Sequence, residues 1–444
     1  MDGTNPFFKS RCGASKINMK LIKATTMKKI YLILFSLMIG VNLKAADLYV
    51  NSSGATGTYT SLTAAVQAAN DGDRIIISTL INLVENVTIN KSVTVTSASA
   101  GTTFTLNGTM TIEAVANKEI RIIGGDISAL SFSSGTATDA TACKFYLVDS
   151  QVNSNIGAGS VYGLSFNMLY CEDDDLVVDF KFGSIIGSSL SYFTLSSGTG
   201  TARNDTTYIV ANKFTNQCQI SNQDHNYFVA NNFFYVPSSR QLYINFSKPS
   251  NSGWNNILNN TFVRYNSGYS AYGNNLYFDN NYDYSNLNLF NNFFIHNNNS
   301  SSSQYYNSHI GSSSLTTSRQ PVVQYNVFAC PNWSSSSAGI YWNNSLVSAN
   351  YNNFRENSSN YTYRTTDGKI TVGANAINKG NTSIQYYDID MTRNDLGTYG
   401  GPFTWENYHD TTSNGRGRVF NLDMPFEIWM GQTPTIKADA VHKK

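Results

Sequence analysis

An acidic run followed by a lysine, CEDDDLVVDFKF, is the stretch of the sequence best equipped for chemistry. Asp173, Asp174 and Asp175 could hold Ca²⁺ in a loop, because calcium prefers carboxylate oxygens. Lys181 in the same stretch, or Arg203 further along, could act as a base. Elimination in a uronate polymer needs a positive group or Ca²⁺ at the carboxylate, a base for the C5 proton and an acid for the leaving oxygen. The alternative is an acidic turn that binds no ion, which we favour because no second acidic strand completes the set.

A cluster of tyrosines offers binding chemistry instead. Among glycines, serines and asparagines, the stretch YNSGYSAYGNNLYFDNNYDY contains the candidates Tyr269, Tyr272, Tyr277 and Tyr282. Aromatic faces beside amide groups suit sugar rings, which present C–H faces and hydroxyl edges. The stretch therefore indicates glycan contact, and a purely structural role for these tyrosines is the alternative.

Signatures of other chemistries are weak. Asp279 and Asp283 stand among asparagines and tyrosines, a composition typical of a turn, and do not indicate the paired carboxylates of a glycoside hydrolase. Ca²⁺ is the one cofactor that the sequence suggests. If the protein is an enzyme, a polysaccharide lyase is favoured over a hydrolase.

The charge balance excludes some classes of partner. Charged residues make up 13% of the chain and the formal net charge is +1, too sparse and balanced for electrostatic attachment to nucleic acid. Hydrophobic residues at 41% are enough for a folded core. We expect a monomer that contacts a polysaccharide or a cell-surface glycan.

Residues 27–46 have the order of a secretory signal peptide. Lys28 and Lys29 precede an apolar run, and Ala45 and Ala46 follow it. The run is too short to span a bilayer, so no transmembrane segment is expected in the mature chain. A buried N-terminal helix is the alternative. We expect translation to start at Met27, residues 1–26 to be a gene-model extension, and the mature protein to be secreted, periplasmic or at the cell surface.

The cysteines do not form a metal motif. The four beyond the signal, Cys143, Cys171, Cys218 and Cys330, include no CxxC pair, so a zinc cluster is not expected. Export permits a bridge between Cys143 and Cys171. Buried unpaired thiols are the alternative that we favour.

The elements that must position these residues are short strands. Leu62, Ala65, Val66 and Ala69 have the spacing of an amphipathic helix near the N-terminus. After Arg74 the pattern changes to brief apolar alternations broken by turn residues, which predicts many short strands.

A phrase of the form "N..F" recurs along the strand-rich region. YIVANKF is followed by YFVANNFF and four weaker echoes, at intervals of 19 to 35 residues. The aligned positions are Asn212, Asn231, Asn260, Asn291, Asn326 and Asn352, with Phe214 and Phe233 after the first two. An irregular repeat of this length predicts a solenoid in which equivalent residues stack about 4.8 Å apart. We expect Asn212 and Asn231 to lie one coil apart in register, with the two phenylalanines stacked beneath the surface.

The order of strand, helix (AAVQAANDGDRIII) and strands resembles the opening of right-handed parallel β-helix proteins of the pectin-lyase-like class. The asparagine echoes resemble the asparagine ladders of that class. DIDMTRNDLGTYGGP (Asp388–Pro402) resembles the closing motif of secreted bacterial β-helix proteins, where we expect Arg393 to pair with an aspartate and seal the last coil.

The resemblance implies an all-β, single-domain, right-handed parallel β-helix of about a dozen coils with a short capping helix at its N-terminus. The helix would occupy residues 47–402, and residues 403–444 would add strands or a cap. The fold hosts several activities. Three functions therefore stay open at or outside the cell envelope: a polysaccharide lyase, a glycan-binding module, and an adhesin or structural protein.

Overall fold

The computed structural model describes residues 45–442 except for 52, 79–80, 100–101, 197–205, 217, 222–225, 237–241, 245–254, 265–275, 279–282, 297–308, 313–314, 331–339, 343–344, 348–353, 374, 410–416 and 424–436. The predicted extension (1–26) and nearly all of the predicted signal peptide (27–46) lie outside the described residues. So do Arg203, Tyr269, Tyr272, Tyr282 and Asn352.

Parallel strands from successive turns of the chain build the molecule. The first sheet has 12 strands, each paired in parallel with the strand of the next coil. With strands numbered in chain order, it consists of β1 (Asp47–Val50), β2 (Arg74–Ile77), β5 (Thr94–Ser97), β7 (Glu119–Ile123), β9 (Cys143–Val148), β12 (Leu164–Leu169), β14 (Phe182–Ile186), β16 (Thr206–Val210), β19 (Asn226–Ala230), β22 (Asn255–Leu258), β25 (Leu287–Phe290) and β28 (Val322–Gln324).

Two further sheets form the other sides of the coils, the second in the N-terminal coils and the third in the later ones. The second contains β3 (Asn82–Leu83), β4 (Val87–Ile89), β6 (Phe104–Ala114), β8 (Gly125–Ser134) and β10 (Gln151–Val152). The third contains β11 (Ile156–Gly157), β13 (Glu172–Phe180), β15 (Ser189–Leu195), β17 (Lys213–Phe214), β18 (Gln219–Ile220), β20 (Phe233–Val236), β21 (Leu242–Ile244), β23 (Thr261–Arg264), β24 (Leu276–Phe278), β26 (Phe293–His296), β27 (Ile310–Gly311), β29 (Val327–Cys330), β30 (Ile340–Trp342), β31 (Ser345–Val347) and β32 (Phe354–Asn357). The predicted all-β parallel β-helix is confirmed.

The remaining elements are short. They are the helices α1 (Leu62–Ala68) and α2 (Glu406–His409), the 3₁₀ turns Asp139–Thr141, Thr317–Arg319, Ser358–Asn360 and Ile384–Tyr386, and two antiparallel hairpins, β33 (Thr362–Tyr363) with β34 (Ile370–Val372) and β35 (Gly417–Asp423) with β36 (Lys437–His442). Among the described residues, no helix is long and apolar enough to cross a lipid bilayer.

Helix α1 packs on the first coils through an apolar face, because Leu62, Ala65 and Val66 are buried in the core. Both ends of the helix are capped by the coil beneath it. The Glu85 carboxylate accepts the first free N–H groups, and the Lys91 ammonium donates to carbonyls of the last turn. The helix therefore belongs to the coil stack.

Phenylalanines stack inside the coils below the third sheet. Successive ring centroids lie 4.6–5.1 Å apart in the series Phe193, Phe214, Phe234, Phe262, Phe294 and Phe328. Phe214 is thus stacked on Phe234, and the predicted partner Phe233 points out of the coil instead. The stack fills this part of the interior at the spacing of neighbouring strands.

A ladder of buried asparagines runs beside this stack. Side-chain amides donate from one coil to the next at 2.9–3.0 Å along the series Asn212, Asn232, Asn260, Asn292 and Asn326. From Asn232 onward, each ladder oxygen also accepts the backbone N–H of the preceding ladder residue at 2.9–3.0 Å. The ladder satisfies buried polar groups that would otherwise be costly.

The predicted register is wrong by one residue at two positions. The parallel pairing of β16 with β19 sets Val210 opposite Ala230, so Asn212 stacks on Asn232 and not on Asn231. In the same way, Asn292 takes the ladder position predicted for Asn291. The repeat has two adjacent asparagines, and only the second points into the ladder.

Three cysteines have described side chains, and all three are unpaired. Cys143, Cys171 and Cys218 are free and buried, so Cys143 and Cys171 form no bridge. Burial raises the pKa of the Cys143 thiol to about 11 and that of the Cys171 thiol to about 12. Both thiols stay protonated at neutral pH and behave as small apolar side chains.

Candidate functional site

A single column of residues on the outer surface of the third sheet changes character along the molecule. The register places side by side, in successive coils, Glu172, Ser189, Lys213, Phe233, Thr261, Phe293, Val327 and Phe354. We call this set the outer column. Its first three members are polar, and the later ones are mostly apolar.

The apolar part of the outer column is covered by the chain that follows the last coil. Phe233, Phe293 and Val327 are fully buried, although they point away from the coil interior. They share a cluster with Leu396 and Trp405. We call residues 361–409 the lateral segment, because they lie along the side of the coils. Burial of this second apolar cluster stabilises the docked segment.

Three asparagines fix the lateral segment to the coils. Asn231, Asn259 and Asn291 each precede a ladder residue and bond outward. Asn231 Nδ2 donates to the carbonyl oxygens of Thr398 at 3.0 Å and Gly400 at 2.6 Å. Asn259 Nδ2 donates to Asn394 Oδ1 and to the Asp395 carbonyl oxygen, both at 2.8 Å. Asn291 Oδ1 accepts the backbone N–H of Asn381 at 2.8 Å. The doubled asparagine of the repeat therefore has one inward and one outward role.

The predicted closing motif, Asp388–Pro402, is part of this lateral attachment. It supplies Thr398 and Gly400 as acceptors on the side of the coils. Arg393, predicted to pair with an aspartate, instead donates to the carbonyl oxygens of Gly380 and Lys379 at 2.7 and 3.1 Å. The motif holds the flank of the helix rather than its end.

A cleft opens where the lateral segment stops covering the outer column. Its volume is about 380 Å³, and its lining residues are Glu172, Asp173, Ser189, Lys213, Thr366, Trp405 and His409. One wall is formed by the polar members of the outer column, Glu172, Ser189 and Lys213. The other wall is formed by residues of the lateral segment. The cleft therefore combines carboxylate, hydroxyl, ammonium, imidazole and aromatic groups.

The wall from the lateral segment is a stacked pair of rings. Trp405 and His409 are four residues apart, with ring centroids 4.0 Å apart and an interplanar angle of 15°. His409 Nε2 lies 2.7 Å from the carbonyl oxygen of Ala211. Because a carbonyl oxygen can only accept, Nε2 carries the hydrogen, and the neutral ring then has its lone pair on Nδ1. The contact fixes both the tautomer and the orientation of the ring.

Polar residues also lie at the other end of β13, around Asp179 and Lys181. The Lys181 ammonium lies 3.7 Å from the ring centroid of Tyr162, whose residue is 52% exposed. The Ser196 hydroxyl donates to the half-buried Asp179 carboxylate. Burial raises the pKa of Asp179, opposed by the Ser196 hydrogen bond and the Lys181 charge. Lys181 therefore lies over an aromatic ring, just after the end of β13 that is opposite to Glu172.

The acidic run lies in an irregular part of β13. The register of β13 against β15 shifts between Asp173 and Val177, and the Asp173 carboxylate accepts the backbone N–H of Asp175 at 3.1 Å. The side chain of Asp174 is outside the described residues. Within the described part of the chain, no three histidine, cysteine, aspartate or glutamate side chains converge as a metal site. The run thus gives local backbone structure, and Asp173 lines the cleft.

Tyr277 is the described member of the predicted tyrosine cluster. It is partly buried in β24. The parallel pairing of successive strands aligns Tyr277 with Asp179, Thr194 and Gln219 of earlier coils. The structure therefore sets Tyr277 on the outer surface of the third sheet, several coils away from the cleft.

An aspartate in the lateral segment has a perturbed pKa. The Asp388 carboxylate accepts the backbone N–H groups of Gly401 at 2.5 Å and of Asp395 at 3.0 Å. Burial, aided by the nearby charges of Asp395 and Asp390, raises the pKa of Asp388 to about 6, and the two hydrogen bonds oppose this rise. The ionised form is therefore disfavoured in the docked segment.

This pKa gives a testable pH dependence. Between its ordinary value of 3.8 and about 6, Asp388 binds more protons in the folded state than in the unfolded state. Its contribution to stability therefore increases as the pH falls from 7 to 5. We expect Asp388→Asn to remove this increase, measured as the difference between variant and wild-type denaturation midpoints at the two pH values. Parallel pH curves for the two proteins would contradict the assignment.

No protein-family model, curated protein or solved structure matches this chain.

Sequence reasoning missed the residues that define the cleft, which are Lys213, Trp405 and His409. One signal was present: Lys213 is the charged residue at a repeat position that is Phe or Thr in the next coils. A second was the i, i+4 spacing of Trp405 and His409, which places two rings on one helical face. Neither signal shows that the two regions meet.

Proposed function

We propose that this protein binds a polysaccharide in the cleft between the third sheet and the lateral segment. The observation that carries the proposal is the change in the outer column. The lateral segment covers its apolar part and leaves Glu172, Ser189 and Lys213 at an opening lined by His409. An opening so placed admits a hydroxyl-rich ligand from the side of the coils.

The mixture of groups in the cleft fits a sugar better than an apolar ligand. Carboxylates accept hydrogen bonds from sugar hydroxyls, the Lys213 ammonium donates to ring or carboxylate oxygens, and Ser189 does both. Strand β13 starts at Glu172 in the cleft, and Lys181, which contacts Tyr162, follows its other end. A polymer can therefore continue past the cleft along this strand. Aromatic and charged groups along one surface suit an extended glycan.

We also propose that the chain is a member of the pectin-lyase-like class, is exported through the segment 27–46, and acts as a monomer at or outside the cell envelope. The parallel coils, the asparagine ladder and the capping helix support the class. The order of the basic pair, apolar run and small residues supports export.

A lyase is the second candidate function, and the cleft favours it in one respect. Lys213 provides a positive charge that could balance a uronate carboxylate, and His409 Nδ1 provides a basic nitrogen in the same cleft. The same screen separates the two functions. A lyase releases an unsaturated product that absorbs ultraviolet light, and a binding module gives saturable binding without product.

We expect Lys213→Ala and Glu172→Gln to weaken glycan binding by about tenfold or more, because each removes a charged hydrogen-bonding group from the cleft. The measurement is calorimetric titration of the purified protein with neutral and uronic-acid polysaccharides, with and without Ca²⁺. Lys144→Ala, on the exposed surface of β9, is the matched control and should leave the affinity unchanged. Equal binding by all three variants would place the glycan elsewhere, and no binding by the wild type would favour an adhesin or structural protein.

A further inference from the structure

From β7 to β28, the residue that follows each strand of the first sheet has a left-handed backbone conformation. Positive φ values recur there at Gly124, Asp149, Tyr170, Gly187, Ala211, Asn231, Asn259, Asn291 and Tyr325. We call this set the corner column. Its variety shows that the turn itself does not require asparagine, although asparagine tolerates such a φ better than most residues.

Asparagine occupies the corner column in three consecutive coils, and the lateral segment contacts all three. Asn231, Asn259 and Asn291 all bond to that segment or accept from it. Ala211 and Tyr325, in the coils before and after, have φ values of 54° and 56°, close to the 53–61° of the three asparagines. The backbone turn is therefore common to all these coils, and the side-chain amide adds bonds to the lateral segment in three of them.

Asn231 is connected to the cleft through one acceptor. The carbonyl oxygen of Thr398 accepts the Asn231 side-chain amide at 3.0 Å and the backbone N–H of Trp405 at 2.9 Å. The Trp405 carbonyl then accepts the backbone N–H of His409 at 3.1 Å. A short series of hydrogen bonds thus leads from the corner column to the ring pair of the cleft wall.

Asn291 offers a contrast within the same column. Its side-chain oxygen accepts the N–H of Asn381, and its amide lies 3.5 Å from Asn259 Oδ1. It is fully buried, as Asn231 nearly is, and has the same turn conformation. Its contact is with a part of the lateral segment that does not line the cleft.

We propose that Asn231 is a positioning residue for the cleft: through the Thr398 carbonyl it sets the place of Trp405 and His409, the wall that faces Glu172 and Lys213. The proposal rests on the proposed function for its biological meaning. Its structural content, the coupling of Asn231 to the ring pair, is measurable without any glycan.

The test compares Asn231→Gly with Asn291→Gly in the full chain. Glycine keeps the positive φ without strain, so each variant removes the side-chain hydrogen bonds and leaves the turn intact. A merely structural role predicts similar behaviour for both. The readouts are amide hydrogen exchange of the peptide containing Trp405 and His409, the thermal midpoint, and the affinity for the glycan that the wild type binds.

We expect both variants to lower the thermal midpoint. We expect only Asn231→Gly to speed exchange of the Trp405 and His409 amides by about tenfold and to weaken glycan binding by about tenfold. Exchange in this peptide that is unchanged by Asn231→Gly, or raised equally by both variants, would overturn the proposal. If the wild type binds no glycan in the screen, the proposed function fails, and the exchange data still decide whether Asn231 positions the ring pair.

Discussion

Asn260→Ala is expected to lower the free energy of unfolding by about 4 kcal/mol, because it breaks the ladder at a fully buried position. The Asn260 amide donates to the carbonyl oxygens of Val229 and Leu258 and to Asn292 Oδ1, at 2.9–3.0 Å. Its oxygen accepts both the backbone N–H and the side-chain amide of Asn232. Alanine leaves these buried partners unsatisfied and supplies no path for water to replace them.

The loss is measurable by urea denaturation of the two proteins under identical conditions. Asn360→Ala is the matched control, since Asn360 is exposed and its amide makes a long bond of 3.4 Å to Glu356. We expect the control to change the unfolding free energy by no more than about 0.5 kcal/mol. A loss for Asn260→Ala as small as that of the control would mean that the ladder contributes little to stability.

Phe262→Ala is expected to cost about 4 kcal/mol, the usual range for removing a buried phenylalanine. The Phe262 ring lies between those of Phe234 and Phe294, with centroid distances of 4.8 and 4.6 Å and interplanar angles of 5°. The neighbouring rings are held by the parallel strands that carry them, so they cannot move together to fill the space. A cavity should therefore remain in the centre of the stack.

Phe403, which is 38% exposed and contacts Phe228 at its edge, provides the control. Phe403→Ala should cost much less than Phe262→Ala in the same denaturation experiment, because water can occupy the vacated surface site. Equal losses of unfolding free energy for the two variants would show that the neighbouring rings move to fill the space left by Phe262. Cavity binding of a small aromatic compound by Phe262→Ala would give independent support.

The strand-rich solenoid and its asparagine ladder were predictable, because the signals are periodic and local. The register was not, since the repeat ANN contains two asparagines that sequence comparison aligns equally well. What separates them is backbone conformation. Asn231 has φ of 56°, as the equivalent Ala211 has 54°, and this rotates its side chain out of the ladder. A single-residue shift of a strand reverses the direction of every side chain.

The cleft was beyond prediction for a different reason. Lys213 and His409 are far apart in the sequence, and they meet because the lateral segment folds back along coils formed much earlier in the chain. No local pattern encodes that return. The acidic run is continuous in the sequence, but in the structure the Asp173 carboxylate accepts the backbone N–H of Asp175 where the register of β13 shifts.

The return of the lateral segment also orders assembly in time. Ladder bonds join residues 20 to 34 positions apart, whereas Asn231 and Thr398 are 167 apart and His409 and Ala211 are 198 apart. Coils of a solenoid can form one after another as the chain emerges, and each new coil uses its neighbour as a template. Contacts of such long sequence separation form late. The wall of the cleft that carries Trp405 and His409 consequently forms after the coils, and a nascent chain holds an almost complete coil stack before the cleft exists.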